Sequence, residues 1–266
     1  MYQSHWGLRN TPFRNRLDPE FFFESPTHEE GLARLHFLVE QQRRLGLLMG
    51  GTGTGKSLLL EVFAAQMRQQ GFPVANFSLL GMDPAELLRE TAVQFGLNPG
   101  SRGLPELWRM VLDRIREHRY QQLATVVLLD DADRASPLVL IQIVRLAQHD
   151  LTPDSRLTLV LAGRQERMSR LGETLLELSE LRIDLQDWQP DDTETYIAHT
   201  LARAGCRQPV FEEPAILRLH ELAHGIPRRI NQLADLALAA GAGQDLERID
   251  ADTVESVYHE LGVIEV

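Results

Sequence analysis

The sequence predicts an α/β fold with five parallel strands, followed by a smaller all-helical domain. Short apolar runs alternate with segments of helical periodicity up to about residue 185, which is typical of a parallel sheet covered on both faces. The first apolar run ends in a glycine-rich turn. Beyond Gln189-Pro190 no strand-like run follows, so the chain changes structural class at that point.

The individual elements follow this alternation. Five apolar runs have the length and composition of buried strands, at residues 45–49, 74–80, 124–129, 156–162 and 181–185. Helical periodicity covers residues 27–43, 56–70, 84–95, 105–119, 136–149 and 166–177, and then residues 191–204, 214–223, 227–240 and 251–261. Residues 1–30 are aromatic and proline-rich and predict an irregular lead-in. We therefore expect an α/β domain over residues 1–187 and a helical domain over residues 188–266.

Charge and composition restrict the classes of function. The net charge is −11, and it is uneven: residues 1–185 carry 21 basic and 23 acidic side chains, whereas residues 186–266 carry 6 and 15. Nucleic-acid binders usually have a basic footprint, so a nucleic-acid partner is possible but not favoured. The single cysteine, Cys206, excludes an internal disulfide and a cysteine-based zinc site.

Targeting signals are absent from the sequence pattern. No apolar run approaches the roughly 18 residues needed to span a bilayer, and residues 1–14 have no apolar core of the signal-peptide type. We expect a cytoplasmic protein without an integral membrane segment.

A phosphate-binding loop is the most specific motif. The chain has 26 arginines and one lysine, Lys56, and that lysine lies in a G-x4-G-K-[S/T] pattern between a predicted strand and a predicted helix. Glycines allow backbone N–H groups to point at phosphate oxygens, and the helix start adds its positive dipole end. The predicted nucleotide contacts are Gly50, Gly51, Thr52, Gly53, Thr54, Gly55, Lys56, Ser57 and the adjacent Leu58.

A second motif supplies carboxylates. The apolar run 126–129 ends in Asp130 and Asp131, the Walker B arrangement that accompanies a phosphate-binding loop. We expect Lys56 to reach the β- and γ-phosphates of ATP, and Ser57 and Asp130 to hold Mg²⁺. Asp131 is placed to orient or deprotonate the attacking water. An aspartate after a strand also serves as a turn residue, an alternative that applies chiefly to Asp131 and to Asp133.

Segments outside these two motifs match one known family. They are Tyr2, Trp6-Gly7-Leu8, Pro12-Phe13, Asp18-Pro19, Phe21-Phe22, residues 160–163, residues 181–183 and residues 225–231. Together with the phosphate-binding loop they make the chain resemble the AAA+ ATPases of the general secretion pathway protein A (ExeA-like) group, relatives of transposition ATPases such as TnsC and TniB. The resemblance implies a P-loop NTPase sheet in the order 5-1-4-3-2 with a C-terminal helical lid.

The resemblance also implies roles for individual residues. Arg182 would be an arginine finger that reaches the nucleotide of a neighbouring subunit, which implies an ATP-dependent homo-oligomer. Arg228 would contact phosphate from the lid, as a sensor 2 residue. Phe13 is expected among the nucleotide contacts. The alternatives are a surface arginine at a sheet edge for Arg182 and a solvated helix start for Arg228.

Two departures from the family pattern leave the function open. The family usually has Glu where this chain has Asp131, and its sensor 1 region differs from Gly163-Arg164-Gln165, so no sensor 1 residue is assigned. We expect an accessory ATPase of secretion or envelope assembly whose protein partner the sequence does not reveal. The alternatives are an ATP-dependent DNA-binding regulator of the transposition type and a slow ATP switch. The arginines of one helix, at 109, 114, 116 and 119, form a solvated face or a DNA-phosphate patch.

Overall fold

The structure is a computed structural model that describes residues 2–152, 154–206 and 208–262. The five strands are β1 (Leu45–Gly50), β2 (Val74–Ser78), β3 (Thr125–Asp130), β4 (Leu157–Arg164) and β5 (Leu181–Leu185). The α-helices are α1 (Tyr2–His5), α2 (Pro26–Glu40), α3 (Lys56–Gln69), α4 (Pro84–Gln94), α5 (Leu104–Tyr120), α6 (Pro137–Ala147), α7 (Glu173–Leu178), α8 (Pro190–Arg203), α9 (Glu213–Ala223), α10 (Pro227–Gly243) and α11 (Ala251–Gly262). Short 3₁₀ helices cover Pro19–Phe21, Ala132–Arg134 and Gln165–Leu171.

The chain packs into two compact units, each with its own hydrophobic core. The α/β unit comprises residues 28–52 and 56–185. The helical unit comprises, among the described residues, 2–27, 53–55 and 186–262.

The α/β unit contains one parallel sheet in the order β2-β3-β4-β1-β5, which confirms the predicted order. Its central strands have continuous apolar stretches because both faces are covered: residues 126–129 of β3 are all fully buried. The helices between the strands begin at recognisable signals. In α4, for example, Asp83 caps the backbone N–H groups of Ala85 and Glu86, and Glu86 closes a capping box.

The strand register places the functional residues at one edge of the sheet. Gly50, the last residue of β1, pairs with Arg164 of β4, and Ser78 of β2 pairs with Asp130 of β3. All strands are parallel, so their carboxyl ends lie at the same edge. In such sheets ligands bind outside this edge.

The helical unit encloses an aromatic core. Phe13 lies 6.1 Å from Tyr196 and 6.3 Å from Phe211, measured between ring centres. The indole N–H of Trp6 donates to the Leu238 carbonyl at 2.9 Å, and that of Trp188 donates to a serine hydroxyl of the N-terminal segment at 2.9 Å. These contacts place residues 2–27 in the helical unit.

The division by packing differs from the predicted domains at the N-terminus. The prediction assigned residues 1–187 to the α/β domain, whereas the contacts of residues 2–27 lie with the C-terminal helices. The predicted irregular lead-in contains α1 and a 3₁₀ turn. The single helix expected over residues 166–177 is a 3₁₀ helix followed by α7, and the two are separated at Gly172, whose φ of +82° interrupts a right-handed helix.

Candidate nucleotide-binding site

The predicted phosphate-binding loop connects β1 to α3. Gly53 and Gly55 adopt φ angles of +90° and +98°, a region of backbone conformation that only glycine enters without strain. Thr54, between them, is buried. The glycines are therefore required by the path of the loop, which turns the chain sharply from the strand into the helix.

Lys56 is the first residue of α3 and closes the loop on itself. Its ammonium donates hydrogen bonds to the carbonyls of Gly50 at 2.9 Å and Gly51 at 2.6 Å. The first turn of α3 contains no acidic residue, although carboxylates are the usual complement to a helix N-terminus. A lysine at this position and the absence of a carboxylate together favour an external anion at the start of α3.

Ser57 and Asp130 form the candidate metal-holding pair. The Ser57 hydroxyl donates to the Asp130 carboxylate at 2.5 Å, and burial raises the pKa of that carboxyl, while hydrogen bonds from Ser57 and the Asp131 backbone N–H oppose the rise. A buried carboxylate gains from a nearby cation, which offsets the cost of removing its charge from water. Hydroxyl and carboxylate oxygens are ligands that Mg²⁺ prefers, so this donor set fits the predicted ion.

Asp131 is held in an unusual backbone conformation. Its φ and ψ are 53° and 31°, the left-handed region, which aspartate tolerates better than most residues. Its N–H donates to Asp130 Oδ1 at 2.8 Å, and its carboxylate accepts a hydrogen bond of 2.7 Å from the hydroxyl of Ser78. Sequence reasoning missed Ser78, because only the register between β2 and β3 brings the two residues together.

A buried ion pair lies at the same edge of the sheet. Asp133 is 2% exposed and accepts bonds from the guanidinium of Arg164 at 3.0 Å and from its backbone N–H at 3.3 Å. Gly163 packs against this carboxylate, because a Cβ at its position would lie 3.0 Å from Asp133 Oδ1. The pair fixes the end of β4 next to Gly50. The sequence analysis assigned no sensor 1 residue in the region of residues 163–165. In the structure, Arg164 of this region pairs with Asp133.

Arg182 and Leu58 belong to the α/β unit. Arg182 is exposed on β5, the edge strand, and its guanidinium Nε lies 3.2 Å from both carboxylate oxygens of Asp184. Leu58 is a half-buried residue of the first turn of α3. The position of Arg182 does not test its predicted role, since an arginine finger acts on another subunit. The role of Leu58 as a nucleotide contact also stays a prediction.

Arg228 and Phe13 belong to the helical unit. Arg228 is the second residue of α10 and exposed, and its backbone N–H donates to the Gly53 carbonyl at 3.2 Å. A Cβ on Gly53, itself part of this unit, would lie 2.9 Å from Ile226 Cγ2 and 3.0 Å from Arg228 Cβ. Phe13 is 2% exposed in the aromatic core, a packing position, and its role as a nucleotide contact stays a prediction.

The sheet order and the loop after β1 define the class of the protein. A five-stranded parallel sheet in this order, with a glycine-rich loop and lysine after β1 and an aspartate at the end of β3, is a P-loop α/β fold. The AAA domain family (AAA_22) matches residues 39–171, half of the chain, and the chain belongs to this family.

The comparisons with individual proteins agree with the family. The chain is similar to general secretion pathway protein A of Aeromonas hydrophila, with 30% identity over 273 residues that cover 99% of this chain and 49% of that protein. This confirms the resemblance predicted from the motifs. The chain spans about half the length of this curated relative.

Solved structures share the fold. The chain is similar to the Aeropyrum pernix ORC1 protein in complex with DNA, with a TM-score of 0.65, 19% identity and coverage of 92% of this chain and 68% of that one. It is also similar to the Thermotoga maritima RuvB Holliday junction branch migration motor, with a TM-score of 0.62, 16% identity and coverage of 95% and 74%. Identities this low support the fold alone. Across the described parts of the chain, no helix has the length and hydrophobicity to cross a bilayer.

Proposed function

We propose that this protein binds ATP with Mg²⁺ and hydrolyses it to drive a conformational change. Membership of the AAA domain family supports this, and one observation carries it: the only lysine of the chain closes the loop after β1, next to the Ser57–Asp130 pair. A glycine turn without a ligand requires neither a buried carboxylate nor a lysine at a helix start.

The residues of the loop bind and orient the triphosphate. Backbone N–H groups of residues 50–55 surround the phosphates, and Lys56 exchanges its bonds to Gly50 and Gly51 for phosphate oxygens. Ser57 and Asp130 hold Mg²⁺, whose chemistry here is to neutralise charge that develops on the phosphates.

Asp131 positions the attacking water. The water oxygen forms a bond to the γ-phosphorus while the bond to the β–γ bridging oxygen breaks, ADP leaves, and a proton passes to the Asp131 carboxylate. The bond from Ser78 holds Oδ2 of that carboxylate towards β2, which restricts how the carboxylate can turn towards the water. Asp131 is one methylene shorter than glutamate. These two facts support slow, switch-like hydrolysis as the second candidate function.

Two arginines complete the proposed site. Arg228 couples the helical unit to the nucleotide, supported by its contact with Gly53. Arg182 acts in trans, so the active form is an oligomer. Arg167 and Arg170 are also exposed and follow the carboxyl end of β4, and they are the natural comparison for Arg182.

The biological role is that of an accessory ATPase of secretion or envelope assembly, acting in the cytoplasm. Its support is the 30% identity to general secretion pathway protein A over 99% of this chain. The acidic balance of residues 186–266 disfavours the DNA-binding regulator. A gel-shift assay with duplex DNA and ATP separates the two roles, because only the regulator retains DNA at physiological salt.

The test of the catalytic site is a mixing experiment. Lys56→Ala abolishes nucleotide binding, and Lys56→Arg does the same because the guanidinium is bulkier and planar. Arg182→Ala binds ATP normally but loses turnover. Each variant alone is inactive, and a mixture regains part of the activity because a Lys56→Ala subunit lends its Arg182 to a neighbour with an intact loop.

The controls fix the interpretation of that mixture. Wild-type activity per mole rises with protein concentration and disappears in EDTA. Arg167→Ala and Arg170→Ala, combined in the same way with Lys56→Ala, show whether recovery depends on Arg182 specifically. If Lys56→Ala binds ATP as tightly as the wild type, the assignment of the phosphate-binding loop is refuted. If the mixture recovers no activity and wild-type activity per mole does not depend on protein concentration, only the trans role of Arg182 is refuted.

A further inference from the structure

A cluster of cationic side chains lies at the sheet edge opposite the phosphate-binding loop. Arg116 and Arg119 come from the last two turns of α5, His149 follows α6, and Arg156 directly precedes β4. With Asp150 and Ser155 they line one small surface pocket. None of these residues belongs to the nucleotide site, because Arg156 lies at the amino end of the strand whose carboxyl end holds Arg164.

The negative charge in the pocket is already engaged. Asp150 accepts from the backbone N–H and hydroxyl of Thr152 at 3.1 and 2.7 Å on one oxygen, and from Arg119 at 2.6 Å on the other. Within the pocket lining, the one acidic group is therefore paired with Arg119, and Arg116 and Arg156 have no acidic partner there.

The other two arginines keep donors for a ligand. Arg156 bonds only to the carbonyl and side-chain oxygens of Gln122, at 3.4 and 2.6 Å, and makes no ion pair within the described chain. Arg116 pairs with Asp113, whose side chain is 65% exposed, and such surface pairs are worth little. A guanidinium has five N–H donors, so each arginine retains several. Ser155 adds a hydroxyl to the lining.

His149 reports a positive local field. Burial lowers its pKa, and Arg116, Arg119 and Arg145 lower it further, against the opposing charge of Asp150. Tyr120, the last residue of α5, is 79% exposed, and its ring centre lies 5.8 Å from the guanidinium of Arg119. Planar guanidinium groups around a small pocket match the tetrahedral oxygens of a phosphoryl group.

We propose that Arg116, Arg156 and Ser155 form a phosphoryl-binding site, separate from the nucleotide site. The phosphoryl group comes from a free phosphate or phosphate ester, or from a nucleic-acid backbone. The competing explanation is that the arginines only complement the negative dipole end of α5, in which case no anion binds.

The experiment follows the C2 proton of His149 by NMR, assigned through His149→Gln, in the Lys56→Ala protein so that the loop does not compete for anions. Inorganic phosphate is added at constant ionic strength, with chloride as the reference. Binding raises the pKa of His149, because the anion offsets the arginine field, and the titration saturates. Arg156→Gln and Arg116→Gln each weaken binding about tenfold or more, since each loses a charge-assisted hydrogen bond.

The matched control is Arg109→Gln, an exposed arginine of α5 outside the pocket, which binds phosphate like the parent. A duplex oligonucleotide that shifts the same proton at concentrations where phosphate does not identifies the backbone as the source; a response to phosphate alone identifies a free phosphate or ester. The proposal is overturned if neither probe shifts the His149 proton in a saturable way. It is also overturned if Arg156→Gln binds the probe as tightly as the parent does. Arg116→Gln changes an exposed side chain, so this variant keeps the fold. Its phosphate affinity therefore tests the proposal even if Arg156→Gln fails to fold.

Discussion

The buried ion pair beside the phosphate-binding loop makes a quantitative test of the fold at the site. Replacing Asp133 by Asn keeps the side-chain shape and the acceptor for the Arg164 N–H but removes the negative charge. Breaking a fully buried pair costs about 3–5 kcal/mol. Asp133 is 2% exposed, whereas the side chain of Arg164 is 26% exposed, so water stabilises part of the stranded cation. We therefore expect a loss of about 2–3 kcal/mol.

Urea denaturation followed by circular dichroism measures this loss. For a chain of this size each kcal/mol corresponds to about 2–4 °C in Tm, so the thermal midpoint falls by about 4–12 °C. Arg164→Met leaves the more deeply buried Asp133 without its partner, and we expect about 3–5 kcal/mol.

A double-mutant cycle isolates the interaction between the two residues. The double variant Asp133→Asn, Arg164→Met loses less free energy of unfolding than the two single variants added together. The reason is that the double variant leaves no buried charge without a partner, whereas each single variant leaves one. An interaction free energy below about 0.5 kcal/mol, the range of independent sites, refutes the reasoning. Asp133 and Arg164 would then be neighbours, 3.0 Å apart, whose charges are each satisfied by water.

Three further predictions concern the remaining geometry. Gly225→Ala lowers the Tm strongly, because Gly225 has φ +68° and an added Cβ would lie 2.3 Å from the Trp188 carbonyl oxygen; an unchanged melting curve contradicts that contact. Ser78→Ala frees the Asp131 carboxylate and raises kcat at unchanged ATP affinity, measured by steady-state phosphate release; a lower kcat shows that Ser78 positions the base. Burial and Arg114 lower the pKa of His118 below 6.5, so the stability that neutral His118 contributes is present above pH 6.5 and is lost as the pH falls through the lowered pKa. His118→Gln therefore reduces the dependence of the free energy of unfolding on pH in this range. An unchanged dependence on pH assigns the effect to other groups.

The sheet could be predicted because its strands carry their own signal. Residues 126–129 are buried on both faces and therefore uniformly apolar, and glycines at residues 53 and 55 are needed for one loop conformation. Local chemistry of this kind is visible in a single sequence. The order of the strands came from the family resemblance, and the observed pairing confirms it.

Contacts between distant segments could not be predicted in the same way. Ser78 and Asp131 are 53 residues apart, and Asp133 and Arg164 are 31 apart, so each pair depends on strand register that periodicity does not encode. The aromatic residues near the N-terminus indicate a core, but they do not indicate which core. The apolar character of a ring predicts that it is buried, but it does not specify in which of the two cores.

The place of the N-terminal segment has a consequence for synthesis on the ribosome. Trp6 bonds to Leu238, 232 residues further along the chain, and a ribosome adding about 5–20 residues per second needs roughly 10–50 s to make that stretch. During this time the α/β unit can be completed, while Trp6 and Phe13 have no helices to cover them. Exposed apolar segments of this kind are where nascent chains aggregate or recruit chaperones. Closure of the helical unit is therefore a late, long-range event that joins segments 232 residues apart in the sequence.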